Sequence, residues 1–78
     1  MEQMMKLKQG SIGHDYTVIS FNLPLNIEKR LEALGMTYGT VVSVLNRKHQ
    51  GIMIVKIRGT RFALGKNITN NIQVRCAG

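Results

Sequence analysis

The apolar positions change period once, and sharply, near the middle of the chain. From Ile27 to Leu34 they follow a helix. Ile27, Leu31 and Leu34 fall at i, i+4 and i+7 and share one face. Glu28, Lys29, Arg30 and Glu32 take the other. Gly35 follows at once, where a helix closing through the left-handed conformation favours a residue without Cβ. With Gly35 at C′, Met36 is C″ and packs back on Leu31. Thr37, Tyr38 and Gly39 make a second turn. From Thr40 the period is two: Val42 and Val44 point one way, Val41, Ser43 and Leu45 the other. The pattern predicts a short helix leading through a tight corner into a strand.

Further strands are predicted on either side. Residues 16–21 form the first, with Tyr16 and Val18 on one face and apolar Ile19 and Phe21 interleaved, so both faces are expected to be covered. Asn22 or Asn26 is placed to cap the helix, and Pro24 suits a first turn and fits the earlier cap. Lys48, His49, Gln50 and Gly51 read as a polar loop. Residues 52–58 alternate, with Met53, Val55 and Ile57 opposed to Lys56 and Arg58. Gly59 and Thr60 give a two-residue hairpin signal, and residues 61–64 return with Phe62 and Leu64 inward. Residues 65–67 turn through one short helical turn, and residues 72–74 close the sheet on Ile72 and Val74. Residues 10–13 form a turn, and residues 1–9 read as a flexible start. About five short strands and one helix describe a mainly β domain over residues 10–76. The expected architecture is a small SH3-like antiparallel barrel, with the helix between its first two strands.

A chain of 78 residues is one small domain. A core of this size rarely supplies more than about 3–5 kcal/mol. Cys76 stands alone, so no internal disulfide framework forms, which fits a reducing cytoplasm. No apolar run approaches the roughly 18 residues that span a bilayer. The first residues lack the apolar stretch of a secretory signal.

Charge is placed unevenly. Residues 1–39 hold four basic and four acidic side chains and cancel. Residues 40–78 hold Arg47, Lys48, Lys56, Arg58, Arg61, Lys66 and Arg75 and no acid, so the whole +7 lies there. Such a field attracts an acidic partner, an anionic membrane face or nucleic acid.

Catalytic signals are poor. Ser11, Ser20 and Ser43 lie in no nucleophile motif, and neither His14 nor His49 is tied by spacing to a nucleophile and an orienting acid. His14 and Asp15 are neighbours, so on a strand they face opposite ways. No glycine-rich phosphate loop is present, and no nucleotide, other cofactor or small-molecule substrate is expected. Candidate metal ligands are His14, Asp15, Glu28, Glu32, His49 and Cys76. Glu28 and Glu32 share a helix face but sit beside Lys29 and Arg30, and no CxxC or HxxxH pattern occurs, so no specific iron site is expected. Tyr16, Phe21, Tyr38 and Phe62 are the only aromatics, too few for a polyproline groove or a base-stacking platform. The chain reads as a non-enzymatic binding module.

The corner also carries a resemblance. Leu31, Leu34, Gly35, Met36, Thr37, Gly39, Thr40, Val42 and Val44, followed by residues 57–64, resemble the ferrous iron transport protein A (FeoA) family. With Tyr16, Val18, Ile72 and Val74 the likeness covers most of residues 10–75. Two places depart from it: Tyr38 stands where the family usually has proline, and the loop of residues 48–51 is short. The resemblance implies a cytoplasmic accessory protein of ferrous iron uptake that docks on FeoB, the membrane transporter with a cytosolic GTPase domain, and modulates it at the inner membrane face. The contact surface is expected at the corner (Met36, Tyr38) and the basic loops (Arg47, Lys48, Arg58, Arg61). The alternative is a small basic barrel that binds nucleic acid. Exposed sheet edges would also permit weak self-association.

Overall fold

The computed structural model describes residues 4–77, so the first three residues of the expected flexible start lie outside it. Its elements are β1 (Met5–Lys6), a 3-10 turn (Leu7–Gln9), β2 (Asp15–Phe21), α1 (Leu25–Ala33) and β3 (Val41–Arg47). A second 3-10 turn (His49–Gly51) leads to β4 (Met53–Ile57), β5 (Thr60–Leu64), α2 (Lys66–Thr69) and β6 (Ile72–Cys76). The fold is mainly β, as the pattern predicts. All strand pairs are antiparallel, in the order β1-β6-β2-β3-β4-β5.

The barrel is open rather than closed. The sheet ends at β1 on one side and β5 on the other. β1 has two residues and so little edge to offer β5. The closing strand of the sequence reading, β6, is instead central, paired with both β1 and β2.

Corner geometry follows the prediction closely. Leu34 ends α1, and Gly35 stands at φ +100°. The Gly35 N–H donates to the Glu32 carbonyl and the Met36 N–H to the Leu31 carbonyl, both at 2.9 Å. These are the paired bonds of a Schellman closure. A Cβ at residue 35 would sit 3.1 Å from Arg58 Cδ, so both backbone angle and space call for glycine. Met36, turned inward, is fully buried with Leu31, Val42, Val44, Val55, Ile57, Ile72 and Val74. Bulges in β2 between Val18 and Ser20, and in β3 between Val44 and Asn46, bend the sheet around this core.

Four expectations change. Residues 5–9 are built into the fold: Met5 pairs with Val74, and Leu7 is fully buried. A two-residue strand has no period to show, so one buried leucine among polar residues left no pattern. Neither asparagine caps α1; Pro24 is the N-cap, and its carbonyl accepts the Ile27 and Glu28 N–H groups. The β4–β5 turn is Arg58 and Gly59, one residue earlier than expected, with φ +50° and +83°. That register sets Met53 opposite Leu64 and Val55 opposite Phe62. A turn one residue later would set Met53 against Lys66. Leu34, expected inward, is 44% exposed, because α1 ends there and the chain turns away.

Gly35→Ala is expected to lower unfolding free energy by about 1–3 kcal/mol, the range for a non-glycine residue held at such an angle. Gly39→Ala, at φ +83° with open space around it, meets the strain without the contact and should lose less. Leu7→Ala should lose roughly 2–5 kcal/mol, as for other large-to-small core changes. Urea denaturation followed by circular dichroism measures all three; a neutral Leu7→Ala would show that the first turn is not part of the core.

Candidate functional site

Helical geometry sorts the surface of α1 into two flanks. Ile27, Arg30, Leu31 and Leu34 cluster on one, and Glu28 and Glu32 lie on the other. The first flank faces Ala63 and Leu64 of β5 and Ile68 of α2 across a groove of about 500 Å³. Its walls are aliphatic, with Arg30 at the rim. The groove runs beside β5, the open edge of the sheet. Leu34 is exposed because it lines this groove.

The expected contact residues do not form one patch. Met36 is fully buried, so it cannot touch a partner; its C″ position after Gly35 sends it into the core. Tyr38 is 60% exposed and lies on the opposite flank of α1 from the groove. Its ring meets Phe21 edge-on, with centroids 5.3 Å apart, and its hydroxyl donates to Glu28 Oε1 at 3.0 Å. That bond to a carboxylate raises the Tyr38 phenol above its ordinary pKa, helped by slight desolvation and by the charges of Glu28 and Glu32. The bond supplies the order that a proline would supply by its ring.

Arg58 and Arg61 belong to the β4–β5 hairpin. The Arg58 stem runs over Gly35, at the mouth of the corner. Arg61 lies directly across the ladder from Lys56, and both are exposed. Arg47 and Lys48 are at the far end of the sheet: Arg47 pairs with Met53, whereas Lys56 pairs with Ser43. Three residues of β4 separate the two levels, roughly 10 Å. The Arg47 guanidinium also donates to the Gly10 carbonyl, which ties it to the first turn of the chain. Hence Arg58 and Arg61 lie on the hairpin whose return strand borders the groove, without lining it, and Tyr38 lies on the other flank of α1.

Ile27, Ala33, Leu34, Ala63 and Ile68 were not singled out as site residues by sequence. One signal was available: Leu34 continues the apolar face of α1 past the last helical turn, where nothing can cover it. Among the described residues, no three His, Cys, Asp or Glu side chains lie close enough to share a metal ion. Also among them, no helix is long and apolar enough to cross a membrane.

Comparison with known proteins fits this geometry to a family. The FeoA domain model matches residues 5–76. A crystal structure of an iron uptake regulatory protein (FeoA) is 28% identical, with TM-score 0.82, and the match covers 96% of this chain and 99% of that one. The solution structure of FeoA from Chlorobium tepidum is 25% identical, with TM-score 0.88, covering 95% of this chain and 71% of that one. A manganese-dependent transcriptional repressor at 19% identity and TM-score 0.87 shares the fold; the match covers 99% of this chain but 44% of the repressor. Direct comparison with curated protein sequences gave no match. With nearly its whole length matched to the domain and the SH3-like fold of its solved members reproduced, the chain belongs to the FeoA family, which is linked to ferrous iron transport.

Proposed function

We propose that this chain is a non-enzymatic cytoplasmic accessory protein of ferrous iron uptake that docks on FeoB and modulates it. The observation that supports this most is the apolar groove beside the Arg58–Arg61 hairpin. Small folded chains seldom leave a contiguous aliphatic trough open to water unless something fills it. Here Arg30 lines the trough, and Arg58 and Arg61 stand exposed on the neighbouring β4–β5 hairpin. A partner with an apolar anchor and acidic flanks suits both features. The family's link to iron transport, and the 28% identical protein described as regulating iron uptake, point to the transport system as the source of that partner.

Modulation has a thermodynamic condition. A docked module shifts a transporter between two states only if it binds them with unequal affinity. The groove and rim suffice for that if FeoB presents the anchor in one state and hides it in the other. Recruitment to the inner membrane face follows from the docking. The nucleic-acid alternative draws on the same cations but has little to stack bases. Tyr16 is buried, Phe21 and Phe62 pack on the core, and the Tyr38 hydroxyl is bonded to Glu28.

Charge reversal tests the reading. The Arg58→Glu, Arg61→Glu double variant should weaken binding to detergent-solubilised FeoB by about tenfold at low salt and flatten its salt dependence. Circular dichroism should stay unchanged. Equal affinity of wild type and variant would remove the hairpin from the contact, and no binding by either chain would remove the docking reading itself.

A further inference from the structure

We propose that the open edge of β5 receives an extended segment of the partner as a seventh strand, in which apolar and acidic side chains alternate. This rests on the docking reading and adds the mode of recognition and the chemistry of the segment.

Register decides which backbone groups the edge offers. The two-residue turn makes Ile57 and Thr60 the closing pair of the hairpin, and such a pair exchanges both hydrogen bonds. Bonded and non-bonded pairs then alternate. Val55 with Phe62, and Met53 with Leu64, are bonded; Lys56 with Arg61, and Ile54 with Ala63, are not. The N–H and C=O groups of Arg61 and Ala63 therefore point away from β4, along the outer edge. Nothing follows β5 in the sheet order. Arg61 and Ala63 are two residues apart, the spacing at which an added antiparallel strand forms its own bonded pairs. An extended peptide seated there gains main-chain bonds for affinity and side-chain pockets for specificity.

The two faces of that added strand meet different surroundings. On the α1 side its side chains enter the groove lined by Ile27, Leu31, Leu34, Leu64 and Ile68. Those positions call for aliphatic residues. On the outer side they stand beside Arg61, which already faces Lys56 across the ladder. Two like charges directly opposite each other destabilise a sheet, and a carboxylate laid alongside offsets them. The outer positions call for Asp or Glu. Because strand side chains alternate between faces, the segment reads apolar, acidic, apolar, acidic.

A second copy of this chain fits the edge less well. It would add another Lys56 and Arg61 to the same ladder, between two chains that each carry +7. A polyanion such as RNA would meet the cations and leave the groove and the edge amides unfilled.

The test uses the full chain, isotope-labelled, with four nine-residue peptides. One alternates leucine and glutamate; one alternates leucine and lysine; two are the leucine–glutamate peptide N-methylated at every second residue, in opposite phases. The alternating acidic peptide should bind, with the Arg61 and Ala63 amides slowed in hydrogen exchange at least tenfold. The leucine–lysine peptide and one of the two methylated phases should bind at least tenfold more weakly. Ala63→Pro removes an outward N–H that β4 does not use, and prolines are tolerated on edge strands. It should weaken the acidic peptide at least tenfold while the β4 amide signals persist. Leu34→Glu, at an exposed groove position, should do the same. Binding without protection of Arg61 and Ala63, equal binding of the lysine peptide, or no binding by the acidic peptide overturns strand addition, as does protection of those amides on concentrating the chain alone. If Ala63→Pro still binds FeoB as wild type while the Arg58→Glu, Arg61→Glu variant does not, docking stands and strand addition falls.

Discussion

Met36 reaches the core only because Gly35, at φ +100°, turns the chain back over the last turn of α1. That single left-handed residue couples three things. It gives the Leu31 and Glu32 carbonyls their partners, so the end of α1 is satisfied although it abuts the core. It sets Met36 among Leu31, Val42 and Ile57, where a smaller or differently aimed side chain would leave a void. And it leaves a gap above itself that the Arg58 stem fills from the β4–β5 hairpin. The helix, the sheet and the basic hairpin are thus registered against each other at one residue without a side chain.

The surface that results is lopsided for a physical reason. α1 ends early, at Ala33, and α2 is a single turn of four residues. Between them they leave a trough beside β5, and no strand lies beyond β5 in the sheet order. The uncovered strip is where sheet edge, aliphatic groove and cationic hairpin meet. Arginine on an edge strand discourages pairing with like chains. The same residue invites a carboxylate, so the edge is closed to its own kind and open to an acidic stranger. Tyr38 lies on the other flank of α1, held by Phe21 and Glu28, and braces the corner from behind.

Much of this was legible in the residues, and the parts that were not share a cause. Signals carried by one residue and its immediate neighbours came through: Gly35 closing the helix, the change to a period of two at Thr40, the inward Val42, Val44, Val55 and Ile57. Signals that depend on what lies across space did not. Leu7 looks like any leucine in a polar stretch until β6 arrives beside β1. Met36 suits both packing on Leu31 and a contact at the corner until the Schellman closure, built in three dimensions, leaves only the first. The hairpin turn slid by one residue because Gly59 suits either central position, and only the pairing of Met53 with Leu64 settles which. The groove needed the relative placement of α1, β5 and α2, which no local pattern contains. For the same reason Arg47 and Arg61 look equivalent in a count of charges, yet one is tied to Gly10 and the other lies exposed on an edge strand.

The position of β6 bears on how this chain is made. Val74 is the neighbour of both Met5 and Val18, so β6 is the strand that joins the first two. Until residues 72–76 are in place, β2 to β5 can assemble as a partial sheet, but β1 has nothing to pair with. Completion then requires contacts between opposite ends of the sequence, the kind that slow folding most. Leu7 and its turn should therefore be the last part of the interior to be sealed.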